Sequence, residues 1–335
     1  MTSTSVFISG ANGFLAQHII TQLISLDYNV VGSVRTLEKG KKLKELYGQR
    51  FQYEVVPIIE VEGAFDNALL KHPEVTLLMH TASPVTFTAK DLQREIIIPA
   101  VVGTQSILNS IMKVAPGIER VVFTSSYCAI ASHELQRGPH FTGGEKFWND
   151  ITYEQSIKDP LSAYAGSKTF AEKAAWAFIK KQKPRFSLTS INPVFIFGPQ
   201  ARSEEIKETM NLSAEIVNTI LRLKPDDPVP DVEGIFVDVR DVAKAHIFAL
   251  DNDNARSKRL ILATARFNGH TILNTIRDHF PQLRDQLPLP NQSALSLSAY
   301  AEINDRESRD ILGFDHISFA DSIADAVAQI LQVYG

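Results

Sequence analysis

Hydrophobic positions along this chain fall in short β-branched runs separated by longer stretches of helical period, the rhythm of βαβ units around a parallel sheet. Residues 5–10 read as a first strand and 14–26 as an amphipathic helix. A second strand is expected at 29–34, then a charged helix at 37–47. Further strands are read at 53–59, 75–80 and 120–124, with helices near 65–71, 91–114 and 162–182, and a sixth strand at 186–192 ends at Pro193. There the alternation breaks. Residues 194–234 hold one expected helix, 204–223, between stretches rich in proline (Pro225, Pro228, Pro230). A short strand at 234–237 leads into a helix at 239–250, and 259–263 is the last expected strand. Residues 281–298 are polar and contain proline, and 319–333 read as a closing helix.

Composition narrows the classes. With 335 residues, 44% of them hydrophobic, the chain can bury a large core. A net charge of −4 and the lack of any run of five basic residues argue against a nucleic-acid partner. Cys128 is the single cysteine, so no intrachain disulfide can form, which suits a reducing cytosol. The first residues carry no basic segment of the secretory kind, and no apolar stretch approaches the roughly 20 residues of a membrane span. A soluble, cytoplasmic protein is the expectation.

Three features carry chemistry. Gly10-Ala-Asn-Gly13-Phe-Leu-Ala16 follows the first strand and opens a helix. Gly10 allows a tight turn, Gly13 lets backbone approach a pyrophosphate, and Ala16 lets helix and strand pack closely. The second strand ends without the acidic residue that would hold a ribose 2′-hydroxyl; Arg35 stands there instead, with Lys39 a turn later. Two cations suit a 2′-phosphate, so the nicotinamide cofactor expected is NADPH. Tyr164 and Lys168 are spaced to share one helix face, where the ammonium would lower the phenol pKa. Ser126, with Ser125 as the alternative, ends a strand at the sheet edge where such folds bind ligands and could hold a carbonyl oxygen.

The glycine turn, Thr124-Ser-Ser126 and Tyr164-x-x-x-Lys168 together resemble the extended short-chain dehydrogenase/reductases. His80-Thr-Ala-Ser-Pro84, Asn192-Pro-Val-Phe-Ile-Phe-Gly-Pro199, the stretch Val237 to His246 and Phe170-Ala-Glu-Lys-Ala-Ala-Trp176 are similar to the yeast methylglyoxal/isovaleraldehyde reductases and, more distantly, plant dihydroflavonol reductases. The expected fold is α/β, a Rossmann-type doubly wound parallel sheet with a smaller, discontinuous C-terminal substrate domain. Residues 1–193, with 234–263 returning, would form the NADPH-binding domain, and 194–233 with 264–335 the smaller one. The resemblance implies NADPH-dependent reduction of aldehydes and ketones, with Tyr164 as proton donor, Lys168 on the nicotinamide ribose and Ser126 orienting the carbonyl. It implies further cofactor contacts from Asn12, Phe14, Leu15, Ile59, Thr81, Ala82, Ser83, Pro193 and Val194, and a substrate cleft lined by Phe87, Tyr127 and Phe195, which could equally be core aromatics. Ile58 stands where relatives often carry an adenine-binding Asp, and Ala131 replaces a bulkier residue of some relatives. No spacing suggests a metal site, His80 reads as structural and Cys128 as a packing residue. A monomer or homodimer with a small-molecule substrate and no membrane partner completes the expectation. Rival readings are a non-catalytic NADP(H)-binding sensor and a sugar-nucleotide epimerase or dehydratase. The second would need arginines in 194–234, where Arg202 and Arg222 are the only two.

Overall fold

The computed structural model describes residues 4–83, 88–137, 143–206, 210–295, 297 and 303–334. Seven strands build one parallel sheet: β1 (Ser5–Ser9), β2 (Asn29–Val34), β3 (Phe51–Val55), β4 (Val75–His80), β5 (Arg120–Thr124), β6 (Ser187–Pro193) and, from late in the chain, Arg259–Leu262. Between these last two lie β7 (Phe195–Phe197) and β8 (Glu233–Asp238); Arg259–Leu262 is therefore β9, and Ala265–Asn268 is β10. The large sheet runs β3-β2-β1-β4-β5-β6-β9, and the chain reverses direction across it between β1 and β4. That switch point opens the crevice in which such sheets bind nucleotides.

Helices cover both faces, so the strands read as nearly continuous apolar runs. In β1, Val6 and Ile8 join the core beneath the Phe14–Ser25 and Val239–Asp251 helices. Phe7 turns to the opposite core, with Ile107 and Ile111 of the Ile98–Val114 helix and Ala171 and Ala175 of Pro160–Gln182. One segment departs from expectation: Gln93–Val114 is long and apolar enough by composition to cross a membrane, but 56% of its most apolar window is buried inside the chain. Packed beside Pro160–Gln182, it takes the part of a core helix.

The third strand begins and ends earlier than its hydrophobic pattern suggests. Phe51 is fully buried and pairs with Val30, while the ladder closes with the Val56 N–H on the Val34 carbonyl at 2.8 Å. Pro57 has no N–H to continue it.

The late segments differ more. The helix expected at 204–223 is Leu212–Leu221, with a single 3₁₀ turn at Ser203–Glu205 and Asn211 in extended backbone before the helix. The strand expected to return to the nucleotide sheet, Glu233–Asp238, instead pairs with β7 and β10 in a second, three-stranded sheet. The return begins with the Val239–Asp251 helix. Among the late elements that were not anticipated are β7, the Arg306–Leu312 helix, β10 and the Gly269–His279 helix that follows it. A capping box starts this helix, Asn268 accepting from the Thr271 N–H at 2.8 Å and Thr271 Oγ1 accepting from the Asn268 N–H at 2.9 Å. Phe197, Phe236, Phe267 and Phe319 form the aromatic heart of this smaller core. Arg306–Leu312 packs back on the large sheet, its Leu312 buried in the core beneath the first helix.

Candidate active site

After β1 the chain turns at Gly10, whose φ of +72° lies in the left-handed region. A Cβ there would stand 2.9 Å from the Ala82 Cα. Gly10→Ala is therefore expected to cost about 1–3 kcal/mol and to weaken dinucleotide binding. Thermal denaturation and cofactor titration check this, and a variant unchanged in both would remove the turn from the site. Gly13 precedes the Phe14–Ser25 helix in extended backbone and offers no side-chain cap. The first N–H groups of that helix stand at the switch point, with the positive end of its dipole, as a pyrophosphate requires.

Ser9 ties the neighbouring loops together. Its Oγ accepts from the Thr81 and Ala82 N–H groups, each at 3.1 Å, and bonds His80 Nδ1 at 2.7 Å. Its one hydroxyl proton is thus directed to the imidazole. Thr81 Oγ1 donates to the Ser9 carbonyl at 2.6 Å, and the Gly10 N–H to Ser33 Oγ at 3.3 Å. His80 stacks on Phe123, and burial, with the Lys168 charge second, pushes its pKa down to about 3. It is a neutral structural imidazole.

The other expected cofactor residues surround this crevice. Asn12 is half-buried, Phe14 stands edge-on to His18 and Leu15 is buried. Ile59 lies against Gly103 of the Ile98–Val114 helix, and Thr81, Ala82 and Ser83 form a half-exposed strip. Pro193 is buried at the end of β6, and the Val194 N–H donates to the Leu262 carbonyl at 3.2 Å. Arg35 and Lys39 are exposed at the end of β2 and the start of the next helix; among the described residues no ion pair holds either. Uncapped helix, glycine cradle and unpaired cations together fit a phosphate-bearing dinucleotide.

The reacting groups converge beside it. Tyr164 and Lys168 lie one turn apart on the Pro160–Gln182 helix, which starts at Asp159 accepting from the Ser162 N–H at 2.9 Å. The Tyr164 hydroxyl lies beside that of Ser126, and Lys168 Nζ stands 5.7 Å from the centre of the Tyr164 ring. Ser126 follows β5 in extended backbone, its Oγ accepting from the Cys128 N–H at 3.2 Å. The Ser125 hydroxyl is directed elsewhere, donating to the Glu172 carboxylate at 2.5 Å. The two serine hydroxyls thus have different partners.

Three expectations need correction or lie out of view. Burial pushes the Tyr164 phenol up, well above its ordinary value, rather than Lys168 drawing it down. Burial also pushes Lys168 itself down to about 8. Desolvation of the buried phenol is the largest cause of its shift. Tyr127 does not line a cleft: the 3₁₀ turn Tyr127–Ala129 sends its ring into a cluster with Ile130, Ile235 and Ile261, and its hydroxyl donates to the Gly143 carbonyl at 3.3 Å. Phe87 lies outside the described residues. Phe195 borders, with His133, Gln136 and Arg266, a cavity of about 10 Å³, room for little more than one water, and Gln136 Nε2 donates to the Ala131 carbonyl at 2.9 Å. The Cys128 thiol is pushed up by burial, which makes it a poor nucleophile.

No role was expected for Glu172, Asn192 and Arg259, whose side chains meet behind Ser126. The signals for Glu172 were its place in the Phe170–Trp176 segment and its position a helical turn beyond Lys168.

Residues 6–263 match the model of the NAD dependent epimerase/dehydratase family. The chain belongs to that family. It is 49% identical, over 98% of its length and 99% of the relative's, to a putative NADPH-dependent methylglyoxal reductase of Candida albicans. It is 41% identical, over 99% of both, to the NADPH-dependent methylglyoxal reductase of Saccharomyces cerevisiae. The crystal structure of a yeast methylglyoxal/isovaleraldehyde reductase complexed with NADPH superposes with a TM-score of 0.96 at 40% identity, covering 99% of each chain. For a member of the epimerase/dehydratase family, this chain has little to offer a nucleotide diphosphate from Arg202, which donates to the Leu46 carbonyl at 3.3 Å and stacks over Tyr47. Among the described residues no cluster of His, Cys, Asp and Glu could hold a metal ion.

Proposed function

We propose that the chain is an NADPH-dependent reductase of aldehydes and ketones, with the meeting of Ser126, Tyr164 and Lys168 at the switch-point crevice as the observation that carries this function. The near full-length similarity to NADPH-dependent methylglyoxal reductases supports it. When bound, NADPH supplies the hydride that adds to the carbonyl carbon. Backbone of Gly10, Asn12, Gly13, Phe14 and Leu15 would cradle its pyrophosphate, and Arg35 and Lys39 would take the 2′-phosphate. Ile59 and Thr81–Ser83 would border the adenosine half, and Pro193 and Val194 the carboxamide.

Ser126 and Tyr164 hydroxyls would hold the substrate oxygen as negative charge develops on it. Tyr164 then gives that oxygen its proton. A raised phenol pKa does not prevent this, because an alkoxide is a far stronger base than a phenolate. It keeps the proton on Tyr164 until the charge appears. Lys168 would hold the ribose and offset the phenolate left behind.

Loss of NADPH absorbance with a panel of aldehydes and ketones, methylglyoxal and isovaleraldehyde included, tests the reaction. Turnover excludes a non-catalytic sensor, whereas no turnover with any of them overturns the proposal. Specificity for NADPH has its own test. Arg35→Glu is expected to cost about 1.5–3 kcal/mol of phosphate interaction, weakening NADPH use tenfold or more while sparing NADH. Equal efficiency with both cofactors in the parental chain would refute the roles given to Arg35 and Lys39. A smaller substrate-selecting domain around β7, β8 and β10, a cytosolic location and a monomeric or homodimeric state belong to the same proposal.

A further inference from the structure

Tyr164, Lys168, Glu172 and Trp176 follow at four-residue intervals along one stripe of the Pro160–Gln182 helix. Glu172 is fully buried. Its carboxylate accepts from Ser125 Oγ at 2.5 Å, Asn192 Nδ2 at 2.7 Å, Ser190 Oγ at 3.0 Å and Trp176 Nε1 at 3.1 Å. Arg259 pairs with it through Nε at 2.6 Å and Nη2 at 3.3 Å.

These partners converge on Ser126. Ser125 precedes it in the chain, and Asn192 Nδ2 also donates to the Ser126 carbonyl at 3.1 Å. On the far side, Arg259 Nη1 donates to the carbonyls of Glu145 at 2.7 Å and Phe147 at 2.5 Å, and the guanidinium stacks over Trp148 at 3.8 Å. That segment continues to Asn149, which donates through Nδ2 to the Cys128 carbonyl at 2.8 Å and through its N–H to the Ala129 carbonyl at 2.9 Å. Ser125, the Ser126 carbonyl and, through the segment ending at Asn149, the carbonyls of Cys128 and Ala129 are thus all linked to one buried ion pair.

We propose that Glu172 and Arg259, acting through Asn192, are positioning residues that fix the Ser126 backbone so that its hydroxyl meets that of Tyr164. This rests on the reductase function above. Stability alone explains the pair poorly, since a buried ion pair seldom outperforms apolar side chains of the same shape. Orientation explains it well, because a misplacement of about 1 Å at a reacting group can cost roughly a hundredfold in rate.

The test measures single-turnover reduction at saturating NADPH for Glu172→Gln, and for Asn192→Ala, which leaves the ion pair in place should the first variant unfold. Each is made in the parental chain and in Ser126→Ala. In the parental chain a fall of about tenfold or more is expected, with NADPH affinity held within about twofold; in Ser126→Ala the same changes should have less than about a twofold effect. Equal losses in both backgrounds overturn the positioning role and leave the reaction standing. A parental chain that reduces no aldehyde or ketone overturns the reaction itself, and this inference with it.

Discussion

Changing Tyr164 to Phe is expected to slow single-turnover carbonyl reduction by about 10²–10⁴-fold, the usual worth of a positioned proton donor. Hydride addition leaves charge on the substrate oxygen, and the Tyr164 hydroxyl, beside that of Ser126, is the protonated group placed to meet it. Phe keeps the ring and its packing on the helix while removing the hydroxyl. The loss to stability should therefore be no more than one hydrogen bond, about 1 kcal/mol, and NADPH affinity should stay close to parental. Stopped-flow reduction, cofactor titration and thermal denaturation on one preparation separate these quantities. Retention of more than about a tenth of the parental rate would place proton donation on another residue.

The large sheet was legible because its strands are buried on both faces and so appear as short, largely apolar runs, Asn29–Val34 and Val75–His80 among them. The small sheet was not. Phe195–Phe197 is three residues long and follows β6 after a single residue, too short for any period to register. Gly269 looks like a helix breaker in sequence, yet a side chain there would collide with the Pro230 carbonyl, the Cβ lying 2.3 Å from its oxygen. The site divides in the same way. Gly10 with Gly13, and Tyr164 with Lys168, are close in sequence, and their spacing is itself the signal. Glu172 and Arg259 are 87 residues apart, and only the parallel pairing of β6 with β9 brings them together. Tyr127 misled because adjacency to Ser126 says nothing about which way a 3₁₀ turn sends the next side chain. The direction of the Tyr164 shift was also hidden, since spacing records the nearby cation but not the burial that outweighs it.

Lys168 should reveal itself through opposite pH dependences of activity and stability. Burial pushes its pKa from an ordinary 10.5 down to about 8, whereas the Tyr164 phenol is pushed up. Below about pH 8 the folded chain holds an ammonium that can bind the ribose and offset a developing phenolate; above it that charge is lost. The alkaline fall in kcat/KM, which reports the free enzyme, is therefore expected near pH 8 and belongs to Lys168. Lys168→Met should abolish that limb and lower kcat/KM at neutral pH by about 10²–10³-fold, the scale for removing one preorganised electrostatic contact. Tyr164→Phe should keep the limb on its residual activity. Stability runs the other way. Below about pH 8 both folded and unfolded chains carry the charge, and the folded one bears its full desolvation cost, on the order of 3 kcal/mol. Between about pH 8 and 10.5 the unfolded chain binds more protons at this group, so its contribution to stability rises with pH. Without cofactor, Lys168→Met should accordingly melt above the parental chain at pH 7, and the gap should narrow toward pH 10. An alkaline limb unchanged in Lys168→Met, or a variant that melts lower at pH 7, would mean that the ammonium is neither the titrating group nor a strained one.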